Sequence, residues 1–249
     1  MIRSLAHPAT KAIHRAHTKH ARHAWAIVGA IAVVAIGFGV FGYFANVDWA
    51  TLAIALVRST YRLALAYVIA LALGAALGLL VGWSRFSDFL FPLFDVLQNV
   101  PSFALIPIFI YFFGFTDEMI ILFAVSSIVW PILFSTLTAI RTVHADLNDA
   151  ATIFGANGWR RICYYLAPLS FPAILTGSIV GIAIGWEAVI GAEIIADTTG
   201  FGAFIKTAGT EGISQTTVAG TLAILVLVFM LNRLIWAPLL AESSKHYSE

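Results

Sequence analysis

A single cysteine, Cys163, stands among 249 residues, so the chain has no disulfide framework and no multi-cysteine metal site. Charge is scarce as well: Asp, Glu, Lys and Arg make up 11% of the residues, against about 25% in an ordinary soluble domain. No histidine falls within the long apolar runs. That leaves an intramembrane enzyme without the nucleophile and base, or the metal cluster, that it needs, and no catalytic residue or metal ligand is assigned. A G-x-x-x-x-G-K-[ST] phosphate loop is also missing. The run Gly200-Phe201-Gly202-Ala203-Phe204-Ile205-Lys206-Thr207 departs from it at Ile205, where the second glycine should stand. Any use of ATP therefore belongs to another chain.

What is abundant is apolar surface. Hydrophobic residues form 60% of the chain, more than a water-soluble domain of this size can hide, and lipid is the natural solvent. In hydrocarbon every backbone amide must be bonded within its own element, so long apolar runs are read as helices of about 20 residues. Six are expected: 24–44, 63–83, a proline-interrupted stretch 89–115, 119–140, 169–190 and 218–240. The first has no small-residue cleavage site at its end and is read as a retained span rather than a signal peptide. The third is the least regular, because Pro92, Pro101 and Pro107 interrupt it and Asp95, Gln98 and Asn99 make its first half polar.

The positive-inside bias orients these runs. With the N-terminus in the cytoplasm, eleven Lys and Arg fall on the cytoplasmic side, and three (Arg58, Arg62 and Lys206) fall outside. The expectation is an all-α integral membrane protein of about six spans with both termini cytoplasmic. It divides into a basic, His-rich tail (1–23), a first span (24–44), a core (45–240) containing a cytoplasmic loop (141–168), and a short cytoplasmic tail (241–249). In the N-terminal tail, His14, His17, His20 and His23 recur every third residue among Lys and Arg. They suit a helix on anionic lipid better than a metal site.

The loop carries the most specific pattern in the chain. Asp149-Ala150-Ala151 is followed by Gly155, Ala156, Trp159 and Arg160-Arg161, and closes at Pro168. Asp149 is placed to cap or charge a helix N-terminus, Gly155 permits a left-handed turn, and a second short helix is expected from about Gly158. Together they predict a helix-turn-helix across the cytoplasmic face.

This spacing resembles the EAA loop of bacterial ABC importer permeases, with Asp149, Ala150, Ala151, Gly155 and Pro168 at the matching positions. Three positions depart: Asp149 stands for Glu, Tyr165 for Ile and Ala167 for Leu. The segment Gln98-Asn99-Val100-Pro101-Ser102-Phe103-Ala104-Leu105-Ile106-Pro107, with Phe113-Gly114, is similar to permeases of the nitrate, sulfonate, taurine and bicarbonate group. So is Ala192-Glu193 followed by Gly200-Phe201-Gly202. The resemblance spans roughly residues 52–240. It implies a type I ABC importer permease fold in the bacterial inner membrane, and a non-catalytic subunit that binds no cofactor of its own. Expected partners are a cytoplasmic ABC ATPase dimer carrying ATP and Mg, a second copy of the permease, an extracytoplasmic solute-binding protein and membrane lipid, with no nucleic acid. The cargo is a small solute of anionic or organic character. An ion-gradient-driven secondary transporter is the competing reading, since such folds also contain broken helices.

Three further groups stand out. Gly74, Gly78 and Gly82 recur every fourth residue, as do Gly177, Gly181 and Gly185; such stripes let helices approach closely in lipid. The second stripe is also a candidate for a subunit interface. Asp95, Gln98 and Asn99 either line a vestibule or satisfy backbone freed by the prolines. Glu187 and Glu193 are further candidates for the translocation path, although Glu187 equally suits a structural hydrogen bond or interfacial snorkelling. A bare carboxylate in the path opposes a simple anion, so Glu187 is protonated, is paired, or serves a cargo that is not a simple anion.

Overall fold

A computed structural model describes residues 48–143, 145–212 and 214–240, together with Gly39 and Ser243. The expected first span, apart from Gly39, and the histidine-bearing tail lie outside the described residues. Those described are mostly helical, joined by short turns, with no strand among them. Four helices are long and apolar enough to cross a membrane, and a bent pair makes a fifth candidate.

Helix α1 (Trp49–Trp83) is 35 residues long, about 52 Å at 1.5 Å per residue. Its sequence-predicted start at Leu63 is moved forward to Trp49, because Asp48 caps it there. The Asp48 carboxylate accepts from the amides of Ala50 (3.0 Å) and Thr51 (3.2 Å). Hydrogen bonds from the Thr51 hydroxyl and amide hold that carboxyl below its ordinary range. Arg58 and Arg62 masked the helix in the hydropathy pattern; Arg62 proves to be buried, only 3% exposed.

The proline-rich stretch forms α2 (Ser87–Gln98), a 3-10 turn (Ser102–Leu105) and α3 (Ile106–Phe113). The chain bends by 81° between the two halves. Pro101 stands at the bend, since it lacks the N–H that a continuous helix requires. Next come α4 (Asp117–Arg141), α5 (Ala145–Ile153), the short α6 (Trp159–Arg161), and α7 (Ala167–Ala196), which α6 reaches through a π-turn at Ile162–Leu166. Then α8 (Phe201–Thr210) and α9 (Ser214–Leu231) complete the order, with a second π-turn at Asn232–Trp236. The Thr116 hydroxyl caps α4. Asp117 and Glu118 in its first turn and Arg141 in its last complement the helix dipole.

The centre of the bundle is α4, gripped from two sides by the glycine stripes. A Cβ on Gly78 of α1 would stand 2.7 Å from the Thr136 Cβ, and one on Gly82 would stand 2.8 Å from Ile140 Cδ1. From α7, a Cβ on Gly177 would lie 2.6 Å from the Pro131 carbonyl oxygen, and one on Gly185 2.7 Å from Ile128 Cδ1. The α7 stripe is therefore turned onto α4 of its own chain, not toward a second subunit as the sequence also allowed. Lipid supplies little hydrophobic drive between helices, so this close backbone approach is what holds them. Around it Met119, Ile120, Phe123, Ala124, Ile128 and Ile132 of α4 are fully enclosed. Phe123 packs edge-on against Phe109 of α3 at 5.7 Å, which seats the bent pair on α4.

Candidate coupling loop and translocation path

Residues 145–166 cap one end of the bundle, between the end of α4 and the start of α7. Within α5 (Ala145–Ile153), Asp149 is the middle residue. The expected capping role is corrected: the helix begins at Ala145, and Asp146 occupies its first turn. Helix α5 closes through Phe154 N–H to Ala150 O (3.0 Å) and Ala156 N–H to Ala151 O (2.9 Å). Gly155 (φ 74°) and Gly158 (φ 58°) both take positive φ in the turn that follows, where a side chain meets backbone strain. No neighbour crowds either glycine, so the backbone alone demands them.

One brace fixes the two arms of this loop. The Arg161 guanidinium donates to Asn148 Oδ1 at 2.8 Å, and the Tyr165 hydroxyl donates to the same oxygen at 3.3 Å. Arg161 also lies 5.9 Å over the Tyr165 ring. Ala151 is buried beneath the brace, whereas Asp149, Gly155, Trp159, Arg160 and Pro168 are exposed, and Ala150 and Ala156 are half-buried. At the tip Ile153 is 83% exposed, Phe154 88% and Trp159 68%.

Midway along the bundle, the bend between α2 and the 3-10 turn opens on a cavity of 720 Å³ lined by Gln98, Asn99, Ser102, Ser126, Ser127, Trp130 and Ile184, among others. Asn99 Nδ2 donates to the Asp95 carbonyl at 2.5 Å, and Gln98 Nε2 to Asp95 Oδ1 at 2.7 Å. Gln98 and Asn99 thus brace the end of the broken helix and line this cavity, whereas Asp95 is not among the lining residues. Glu187 lies exposed on α7 near this level.

At the far end of the bundle, Glu193 is fully buried. Its carboxylate accepts from the Arg62 guanidinium at 2.5 Å, from the Ser59 hydroxyl at 2.8 Å and from the Gly202 amide at 2.8 Å. Arg62 also donates to the Thr199 carbonyl, and to Asp117 Oδ1 at 2.6 Å. Ser59 Oγ accepts from the Phe201 amide at 2.8 Å. The α8 N-terminus, whose sequence comes near to a phosphate loop, is thus occupied by an internal carboxylate. A Cβ on Gly200 would stand 2.3 Å from Glu193 Oε1, so glycine is needed there for the carboxylate to fit. Glu193, expected as a path residue, is enclosed by its own chain and ties α1, α4, α7 and α8 together.

The chain's residues 69–236, more than half its length, match the binding-protein-dependent transport system inner membrane component family. The chain belongs to that family. It is accordingly a multi-pass inner-membrane protein, and it is similar to permeases of the taurine, nitrate and bicarbonate group. It is 30% identical over 178 residues to the taurine transport system permease protein of Escherichia coli (strain K12), covering 71% of this chain and 65% of that one. The nitrate import permease protein of Leptolyngbya laminosa is 29% identical over 178 residues, covering 71% of this chain and 64% of its own. The bicarbonate transport system permease protein of Synechococcus elongatus (strain ATCC 33912 / PCC 7942 / FACHB-805) is 31% identical over 159 residues, covering 63% and 55%. The matched stretch spans less than two thirds of each relative's length.

The buried cluster went largely unseen in the sequence. Arg62 was counted as an outside loop charge, and Ser59 was not singled out; in the loop, Arg161 was noted only as part of a basic pair, and Asn148 and Phe154 were not singled out. The available signal was an arginine and a serine at i and i+3, Ser59 and Arg62, within an apolar context, a pair that a helix brings to one face.

Proposed function

We propose that this chain is the membrane-spanning subunit of an ATP-driven importer, with loop 141–168 at the cytoplasmic face as the seat of a separate ATPase. Two copies enclose the path, each loop rests on one ATPase, and ATP with Mg is bound by those partners. An extracytoplasmic solute-binding protein delivers a small solute. The observation that carries this reading is the braced loop tip, where Ile153, Phe154 and Trp159 are almost bare. Exposed apolar clusters of this kind mark protein docking sites, and the Arg161–Asn148–Tyr165 brace lets a push on the tip pass to α7 as one body. The family description, an inner membrane component of binding-protein-dependent transport systems, and the names of the relatives, a taurine transport system permease and a nitrate import permease, point the same way.

The test is transport in sealed vesicles containing the permease, its ATPase and its binding protein. ATP-dependent uptake that vanishes with Gly155→Asp or Ala150→Glu, both of which leave the spans intact, is the expected result. Uptake by the permease alone under an imposed proton or sodium gradient would assign it instead to the secondary transporters.

A further inference from the structure

We propose that Glu187 lines the translocation path and selects a solute carrying a positively charged amino group, in contrast to the simple oxyanions named for several relatives. The inference rests on the importer reading for its energy source but not for its chemistry.

The placement of Glu187 comes first. It lies nine residues before the end of α7 at Ala196, about 14 Å at 1.5 Å per residue, which puts it well inside the bundle rather than at its rim. It is exposed, and among the described residues it has no hydrogen-bond or ion-pair partner. An ionisable group at that depth faces a cavity or a partner rather than lipid. Ile184, three residues earlier on the same face, forms part of the wall of the 720 Å³ cavity. Gly191, four residues later, is so close to Phe103 that a Cβ would stand 2.4 Å from the ring. Glu187 is bracketed between these two positions, beside the residues that line the cavity rather than among them. Helical side chains lean toward the helix N-terminus, and that direction leads from Glu187 toward Ile184 and the cavity.

The chemistry of the wall is the second, independent observation. None of the residues lining the cavity is Lys, Arg or His. Several of its polar groups have a donor committed within the chain. Ser126 and Ser127 donate their hydroxyls to the Phe123 carbonyl at 2.7 and 3.3 Å, and Gln98 and Asn99 each donate an amide hydrogen to Asp95. The two hydroxyls keep acceptor lone pairs, and the two amides keep an acceptor oxygen together with one N–H each. Trp130 adds an aromatic face, which attracts cations. The one buried arginine, Arg62, is already spent on Glu193, Asp117 and Thr199. An anion beside Glu187 would therefore meet a carboxylate with no Lys, Arg or His on the cavity wall to offset it. An ammonium group, with several donors and a positive charge, meets its complement.

The experiment uses vesicles holding the full permease with its ATPase and binding protein, and radiolabelled ethanolamine, putrescine, taurine, nitrate and bicarbonate as probes. At least one of the three amine-bearing probes is expected to be taken up. Glu187→Gln should lower that uptake by about tenfold or more, the effect of losing about 1.4 kcal/mol from a charge-assisted contact. Glu187→Lys should abolish it, and Glu187→Asp should retain a measurable part. ATPase co-purification should be the same in all four proteins, which separates a path effect from misfolding. Uptake confined to nitrate or bicarbonate, uptake of no probe, or undiminished amine uptake by Glu187→Gln overturns the assignment. Amine uptake that needs Glu187 but no ATPase keeps this assignment and removes the importer reading.

Discussion

The two ends of the bundle solve opposite problems. At the far end, Arg62 and Glu193 are charges withdrawn from solvent, and their hydrogen bonds are supplied from within the chain. At the loop end, Ile153, Phe154 and Trp159 are apolar side chains left without cover. A buried charge fully partnered by its own chain is a structural tie, since desolvation is offset only by complete pairing. An apolar tip carried on a braced loop is unfinished without a second surface. The comparison separates what this chain needs in order to fold from what it offers to others.

The largest effect tests the first half of that contrast. Glu193→Ala leaves Arg62 buried without its main partner and should cost about 3–5 kcal/mol, seen as a lower unfolding temperature in detergent. The double change Arg62→Met with Glu193→Leu should recover much of the loss, because a buried pair can be replaced by apolar residues of similar size. A double variant as unstable as the single one would mean that the pair does more than hold the four helices.

Next in size is Gly78→Leu, which forces bulk into the 2.7 Å approach to Thr136 and should cost about 1–3 kcal/mol by overpacking. A null result in the same unfolding assay would show that α1 and α4 separate more readily than their packing suggests. Smaller again is Gly155→Ala at the loop end. Nothing crowds that position, so only the positive φ is penalised, by about 1–2 kcal/mol. Comparing these two glycines sets crowding against backbone strain within one molecule.

These positions also show what the sequence could and could not disclose. The apolar runs announced the existence of α4, α7 and α9, and the Gly155 turn and the helix after Gly158 followed from local chain geometry. Both glycine stripes were visible as a period of four, but the partner of the α7 stripe was not, because a period identifies a face and not what lies against it. The true start of α1 was hidden because hydropathy charges Arg58 and Arg62 as costs, whereas the Glu193 carboxylate that neutralises Arg62 is more than a hundred residues away. Glu193 looked like a path residue for the same reason. Asp149 was taken for a cap because α5 was started too late. For the cavity, the prolines and the polar trio at 95–99 announced a break, but not the 81° bend that opens it.

The smallest expected effect on stability, and the most informative one, is Phe154→Ser. A side chain 88% exposed contributes little to the fold, so unfolding should shift by less than about 0.5 kcal/mol, while ATPase association weakens by about tenfold or more. Loss of both together would mean that the tip is part of the core of the loop.

The docking claim is tested most directly by proximity. In a Cys163→Ser background, which removes the single native thiol, Phe154→Cys and Thr210→Cys place one thiol at each end of the bundle. With a short bifunctional thiol-to-amine reagent, the account predicts that Phe154→Cys is cross-linked to the ATPase and that the yield changes when ATP is added, while Thr210→Cys on α8 gives none. Cross-linking from Thr210→Cys, or none from Phe154→Cys in a complex that still hydrolyses ATP, would contradict it.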